Sequence, residues 1–349
     1  MFKNNLHKVI IAINLNIELE NKTPQLDKVS FNAYPLLFEP ILKDRIWGGK
    51  KLATLGKKIS SETIGESWEL SMVEKDISTI TNGFYKNTTI KSLIDTFSEE
   101  ILGNSIIKRF GNQFPLLFKF LDAKSDLSIQ LHPNDELAQK RHNSFGKTEM
   151  WYIMQADENA RIILGFKEDS SSEEYLNHLE KKTLPTILKE YKVKKGDVFF
   201  IETGTIHAIG GGILLAEIQQ TSDITYRVYD WDRVDENGNS RDLHIDLALE
   251  AINYQKQSPE VLHSKIQNKE NRLVSCDFFT TNLIPLKGTI NINKSNDLFY
   301  VYICTEGNFE VKYHTDKISF KKGDTILIPA ALKEFTLKGE ATLLEIFIK

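Results

Sequence analysis

The chain is short of cysteine. Cys276 and Cys304 are the two it has in 349 residues, both in apolar surroundings and without Cys-x-x-Cys spacing. That speaks against a disulfide framework and reads as two reduced core thiols in a cytoplasmic protein. Neither sign of charge dominates. Lys and Arg number 44 against 48 Asp and Glu, a net −4 with no long block of one sign, so nothing points to nucleic acid or an anionic membrane as partner. Long hydrophobic runs are missing too. No stretch reaches the length of a membrane span, and "KVIIAINLNI" at 8–17 is too short and too rich in Asn for a secretory signal, with no small-residue cleavage site after it. Helical periodicity is sparse and is confined to 89–110, 134–145, 170–182 and 242–254.

What remains reads as β-structure. A chain that is 41% hydrophobic and 26% charged has an ordinary soluble composition, and its length allows two domains and a large core. The runs "RIILGF", "DVFFIE", "GILLAEIQQ", "ITYRVYDW", "LFYVYICTEG", "FEVKYHT", "TILIPA", "EFTLKG" and "ATLLEIFIK" are short and separated by Gly, Asp and Asn turns. They predict a sandwich or jelly roll. The sequence also echoes itself: "VKKGDVFFIETGTIHAI" at 193–209 is similar to "FKKGDTILIPAALKEFTL" at 320–337, 127 residues on, as expected of two related β-units. The expected organisation has three parts. Residues 1–30, Asn- and Lys-rich, are read as a disordered extension or the product of an upstream start codon. A unit with helical insertions follows over 31–255, and a second unit over 256–349.

Three clusters carry chemistry. In "LSIQLHPND", 127–135, alternation puts Leu127, Ile129 and Leu131 on one strand face and Ser128, Gln130 and His132 on the other. A solvated face would more often carry Lys, Glu and Thr. In "KKGDVFFIETGTIHAIGGG", Gly196, five residues, Glu202-x-Gly204, two residues and His207 resemble the second motif of the cupins, with Glu202 in place of the usual Pro. There Gly204 permits a tight turn that aims His207 into a barrel mouth. In "KTEMWYI", a strand places Lys147, Glu149 and Trp151 on one face. Two His, a Glu and a Gln amide suit a divalent ion such as Zn²⁺ with a position left for water or substrate.

Together with "RIWGG", "GESWELS" and "LLAEIQQTSDITYRVYDW", these motifs resemble the class I mannose-6-phosphate isomerases in their short bacterial form, over roughly residues 34–349. The resemblance implies two cupin-type jelly-roll barrels. It implies one Zn²⁺ per chain, held by Gln130, His132, Glu149 and His207. Arg227 would be the residue usually called catalytic, Lys147 and Glu217 pocket groups near the reacting carbons, and Lys119 and Ser128 the groups at the substrate phosphate. The implied reaction interconverts mannose 6-phosphate and fructose 6-phosphate through an enediol, in a cytoplasmic protein, expected to be a monomer, whose partner is a small sugar phosphate.

Zn²⁺ would act as a Lewis acid on the enediol oxygens and Arg227 would stabilise negative charge. Glu217, Lys147 and a zinc-bound hydroxide are the candidates for the base. Two other readings compete. An Fe(II) cupin dioxygenase would use a two-His, one-carboxylate site, and the added Gln130 and nearby basic groups argue against it. A non-catalytic sugar-binding cupin would show no turnover. Each residue also has a plain structural alternative: a satisfied core imidazole for His132 or His207, an outer-sphere role for Gln130, a surface pair with Asp223 or Asp230 for Arg227, a snorkelling strand lysine for Lys119. Trp47 and Trp68 fit either cleft lining or packing. His142, His178, His244, His263 and His314 read as surface or packing residues. In the second unit, Glu334 falls where His207 stands in the first, so that unit is expected to lack ligands.

Overall fold

Alternation along the strand Glu149–Ala156 sets the inside of the molecule. Glu149, Trp151 and Ile153 turn one way, Met150, Tyr152 and Met154 the other, and both sets are buried. A strand covered on both faces loses its polar side, which is why "FPLLFKFLDA" reads as one apolar run and forms the fully buried strand Leu116–Ala123.

The computed structural model describes residues 30–234, 237–294 and 297–349. Apart from its last position, the extension expected over 1–30 lies outside the described residues. In the remainder, two antiparallel sheets sandwich a core. One runs, in spatial order, Leu188–Lys192, Arg161–Phe166, His207–Ile209, Ile129–Leu131 and Tyr226–Tyr229. The other runs Val198–Ile201, Glu149–Ala156, Ile213–Gln220, Leu116–Ala123, Ile41–Gly49 and Ile64–Leu70. Between them pack Trp47, Leu121, Leu127, Trp151, Ile153, Ile162, Leu164, Phe199 and Leu215.

A separate seven-stranded sheet contains the long strands Thr280–Asn293, Tyr300–Tyr313 and Glu334–Phe347. Its edge comes from the other end of the chain: Leu36–Leu37 pairs with Thr325–Ile328, Leu36 opposite Leu327. The architecture is thus the mainly-β, jelly-roll type expected from the sequence, with a few short helices between strands. No helix among the described residues is long and apolar enough to cross a membrane.

The repeated KKGD is one turn used twice. Gly196 and Gly323 adopt φ of +90° and +92°, which costs little without a Cβ. Asp197 and Asp324 each accept from the backbone N–H three residues earlier, at 2.9 and 2.8 Å. The glycine N–H groups donate to Ile153 O and Cys304 O, both at 2.8 Å. Glu306 receives both Lys195 and Lys322, so the two turns meet at one carboxylate.

Some expected boundaries shift. The 89–110 helix breaks at Gly103 into Ile90–Leu102 and Asn104–Phe110. The 242–254 helix shrinks to Ile245–Leu249; its start is lost because His244 N–H donates to Arg227 O, His244 Nδ1 accepts from Arg227 N–H, and Asp242 O is taken by the Arg227 side chain. Four runs read as separate strands join into two. Pairing runs through Gly307 and Gly339, opposite Ala341 and Phe309, with one register shift between Cys304 and Glu306.

Candidate active site and metal centre

The Ile129–Leu131 and His207–Ile209 strands lie side by side with Gln130 opposite His207. The turn before His207 is tied to the first motif: Gly204 N–H donates to His132 O at 2.8 Å. Gly204 has φ of +82°, and a Cβ there would come within 2.5 Å of Ala251 O, so a side chain is excluded by both conformation and space. Glu149 opens its strand on the facing sheet.

Both imidazoles are fixed in one tautomer. His132 Nδ1 donates to Ile224 O at 2.8 Å and His207 Nδ1 to Thr205 O at 2.9 Å. Each Nε2 therefore keeps its lone pair. These nitrogens lie 3.6 and 3.7 Å from the two oxygens of Glu149, and the three donor atoms fall within 4.8 Å of one another. Burial pushes the His207 pKa down to about 4. Burial, then the Lys147 charge, drives His132 well below its ordinary value. Both rings are held in the neutral, metal-binding form. Glu149 is fully buried, and its Oε1 accepts no hydrogen bond. Burial and then Glu217 push its pKa up. An orphaned carboxylate oxygen beside two unprotonated imidazole nitrogens fits a divalent cation of the N/O-binding kind.

Gln130 adjoins this cluster. Its Nε2 lies 3.5 Å from His207 Nε2, and its Oε1 accepts from Ser128 Oγ at 3.2 Å. Turning the terminal amide by half a rotation exchanges the two atoms and aims Oε1 at the cluster.

A charged layer sits next to it. Lys147 Nζ is 3.1 Å from His132 Nε2, 3.0 Å from Glu149 Oε2 and 3.8 Å from Glu217 Oε1. Glu217 faces Lys119 across one strand pair and Trp151 across the other. It accepts from Lys119 Nζ and from Trp151 Nε1, each at 3.0 Å. Burial opposes its charge, but Lys119 and Lys147 outweigh burial and bring its pKa down to about 2. Burial also opposes the Lys147 ammonium; Glu149 and Glu217 prevail and raise its pKa.

These groups open into a cavity of about 520 Å³. Lys119, Ser128, Gln130, Lys147, His207, Glu217 and Arg227 line it, and so do Trp47 and Trp68, which the sequence left between lining and packing. His132 and Glu149 complete the cluster with His207. All nine candidate residues therefore converge. Arg227 makes no ion pair with Asp223 or Asp230. Its Nη1 donates to Asp242 O at 2.8 Å, and its buried Nε donates to nothing. Asp230 is taken instead by Arg233 and Arg241.

Sequence reading missed Glu66, which holds Arg45 through two bonds of 2.9 and 3.1 Å and accepts from Trp68 Nε1 at 2.7 Å. The alternation of "GESWELS" carried the signal, since Glu66 and Trp68 share a face. It also missed Arg241, which follows the turn-rich "ENGNS" and has no periodicity to announce it.

Residues 36–166 match the family described as phosphomannose isomerase type I, catalytic domain, and residues 269–348 match the mannose-6-phosphate isomerase cupin domain. The mannose-6-phosphate isomerase ManA of Bacillus subtilis is 38% identical over 312 residues, 88% of this chain and 96% of that protein. The mannose-6-phosphate isomerase of Streptococcus mutans is 35% identical, over 89% of this chain and 98% of its own length. The crystal structure of the mannose 6-phosphate isomerase from Bacillus subtilis superposes with a TM-score of 0.83 at 35% identity, covering 90% of this chain and 99% of that one.

Proposed function

The chain belongs to the type I mannose-6-phosphate isomerase family, and from that premise we propose that it interconverts mannose 6-phosphate and fructose 6-phosphate through an enediol, with one zinc ion per chain. The observation that carries the zinc site is the cluster of His132, His207 and Glu149, with both Nε2 atoms unprotonated and turned to Glu149, whose Oε1 is unbonded. His132, His207 and Glu149 would hold the ion, with Gln130 as a fourth donor after the amide turn. When bound, the ion supplies Lewis-acid stabilisation to the oxygens on C1 and C2 and offsets the Glu149 charge that retains the proton on Lys147.

The protein's own groups do the rest. Lys147 and Glu217 form an acid and acceptor pair 3.8 Å apart, beside the cluster. Lys119 keeps Glu217 ionised, and Trp151 fixes which way its carboxylate faces. Arg227 brings a cation without an ion-pair partner among the described residues to the same cavity, where charge would develop in the enediolate. Lys119, expected with Ser128 at the sugar phosphate, is paired with Glu217.

A coupled assay with mannose 6-phosphate tests the reaction, run before and after a strong chelator. Elemental analysis is expected to find one zinc per chain, and chelation to remove activity that added zinc restores. Acid is expected to release the metal, since a proton and the metal compete for each Nε2. With His207 held down to about 4, release should begin below the ordinary histidine range. Full activity in chelator with no bound metal would end the zinc reading.

A control comes from the second unit. Glu334, the counterpart of His207, is exposed and accepts from Asn293 Nδ2 at 3.1 Å. Glu334→Ala is expected to change neither zinc content nor kcat, whereas loss of zinc in that variant would overturn the view of the C-terminal unit as free of ligands.

A further inference from the structure

The cavity is lined by six cationic side chains: Lys43, Arg45, Lys119, Lys147, Arg227 and Arg241. Four of them have a carboxylate each. Lys43 pairs with Asp76, Arg45 with Glu66, Lys119 with Glu217 and Lys147 with Glu149. The other two stand on the opposite wall and are not matched in this way. Arg227 makes no ion pair among the described residues; its side-chain bond goes to a carbonyl. Arg241 shares the single carboxylate of Asp230 with Arg233. Asp223 and Asp242 are exposed nearby, and neither forms an ion pair with these arginines among the described residues.

The geometry of Arg241 is that of a prepared donor. Its Nε and Nη2 donate to Asp230 at 2.8 and 2.6 Å. Asp230 is buried and is further held by Arg233 Nη2 at 2.5 Å, while Arg233 Nη1 donates to Asp126 O at 2.6 Å. One edge of the Arg241 guanidinium is thus clamped, Nη1 makes no bond among the described residues, and the side chain lines the cavity. Position matters as well. His207, Gln130 and Arg227 lie opposite one another on three adjacent strands, spaced by about 4.8 Å per step. Arg241 stands beyond that edge strand, in the loop after it. A hexose 6-phosphate reacts at C1 and C2 and carries its charge on C6, so its two ends need groups held apart along such a line.

We propose that Arg241, clamped by the buried carboxylate of Asp230, is a phosphate-binding residue for the sugar-phosphate substrate, at the far end of the line His207–Gln130–Arg227–Arg241. The proposal rests on the isomerase reading and deepens it. Charge balance favours this wall. A phosphate carries about −1.5 to −2 at neutral pH. At Lys119 it would face Glu217, bonded to that lysine, and Glu66, whose carboxylate feels the Lys119 charge. On the opposite wall Arg227 and Arg241 line the cavity with Asp223, which pairs with neither, and the one carboxylate bonded to Arg241, Asp230, is shared with Arg233.

The test is Arg241→Met, with Arg241→Lys as the charge-retaining variant. Steady-state kinetics with mannose 6-phosphate are measured, together with calorimetric binding of mannose 6-phosphate and of inorganic phosphate. Arg241→Met is expected to raise KM and to weaken both ligands by about 10- to 100-fold, the range of a charge-assisted hydrogen bond. The kcat should stay within a few-fold, zinc content should stay near that of the unaltered protein, and Arg241→Lys should recover part of the loss. Unchanged KM and unchanged phosphate binding in Arg241→Met would overturn the proposal, as would a fall in kcat at constant KM. If the unaltered protein fails to isomerise mannose 6-phosphate, the isomerase reading fails on its own, and the effect of Arg241→Met on phosphate binding still decides the role of Arg241.

Discussion

His207→Ala is expected to empty the metal centre and bring isomerase activity down to background. Residues that merely support metal ligands cost about 10- to 100-fold when lost, so loss of a direct ligand should cost at least as much. The structural reason lies in how few donors there are. Removing the ring leaves His132 and Glu149, with Gln130 dependent on its amide turn. Two strong donors do not close a stable zinc site, where three protein ligands with an open position are the usual minimum. The fold should survive. The His207 ring packs beside Trp151 and His132, at 5.5 and 4.8 Å between centroids, so its loss leaves a cavity, but the sheets around it are held by the aliphatic core beneath. Circular dichroism should be native-like, and zinc content should fall together with activity. Retained zinc with lost activity would assign His207 to the chemistry instead of the metal. A variant that fails to fold would show that the barrel depends on the ring, and Glu149→Gln, which keeps shape and changes charge, then tests the centre without a cavity.

The sequence showed this centre clearly because strand alternation and turn chemistry are local. Gln130 and His132 stand two residues apart on one face, as do Lys147, Glu149 and Trp151, and one glycine turn delivers His207. Such rules need no knowledge of the rest of the chain. The repeat was visible for the same reason, since KKGD encodes the same turn in both units. What stayed hidden depended on distant partners. The strand Leu36–Leu37 is too short for a periodicity and owes its place to Leu327 and Ile326 in the far sheet. The helix expected over 242–254 lost its first turn to bonds with Arg227. His244, read as a surface or packing residue, accepts the Arg227 backbone N–H at 3.0 Å. Asp230 was considered as the partner of Arg227, but Arg233 and Arg241 occupy it. Lys119 was expected at the phosphate, and its bond to Glu217 became apparent only once strand register brought the two together.

Arg227→Ala is expected to lower kcat by about 10²- to 10³-fold, the loss seen when a preorganised donor to a developing negative charge is removed, with a smaller change in KM. Alternation along Tyr226–Tyr229 buries Tyr226 and Val228 and turns Arg227 to the cavity, opposite Gln130. The backbone is held by His244 and one guanidinium nitrogen by Asp242 O, so the side chain is aimed before substrate arrives. Burial, then the charge of Arg241, lowers its pKa, which marks a cation that lacks its anion. A carboxylate partner would stabilise the ground state; an enediolate supplies the charge only in passing, so the interaction should appear in kcat. Arg227→Lys should recover part of the rate, because an ammonium does not reproduce the planar fork, and zinc content should be normal in both variants. The neighbouring Arg241 sharpens the test. Two guanidiniums on one wall are assigned opposite kinetic signatures, kcat for Arg227 and KM for Arg241. If Arg227→Ala raised KM strongly and left kcat alone, Arg227 would be a binding group for the phosphate, and the stabilisation of the enediolate would pass to Lys147 or Glu217.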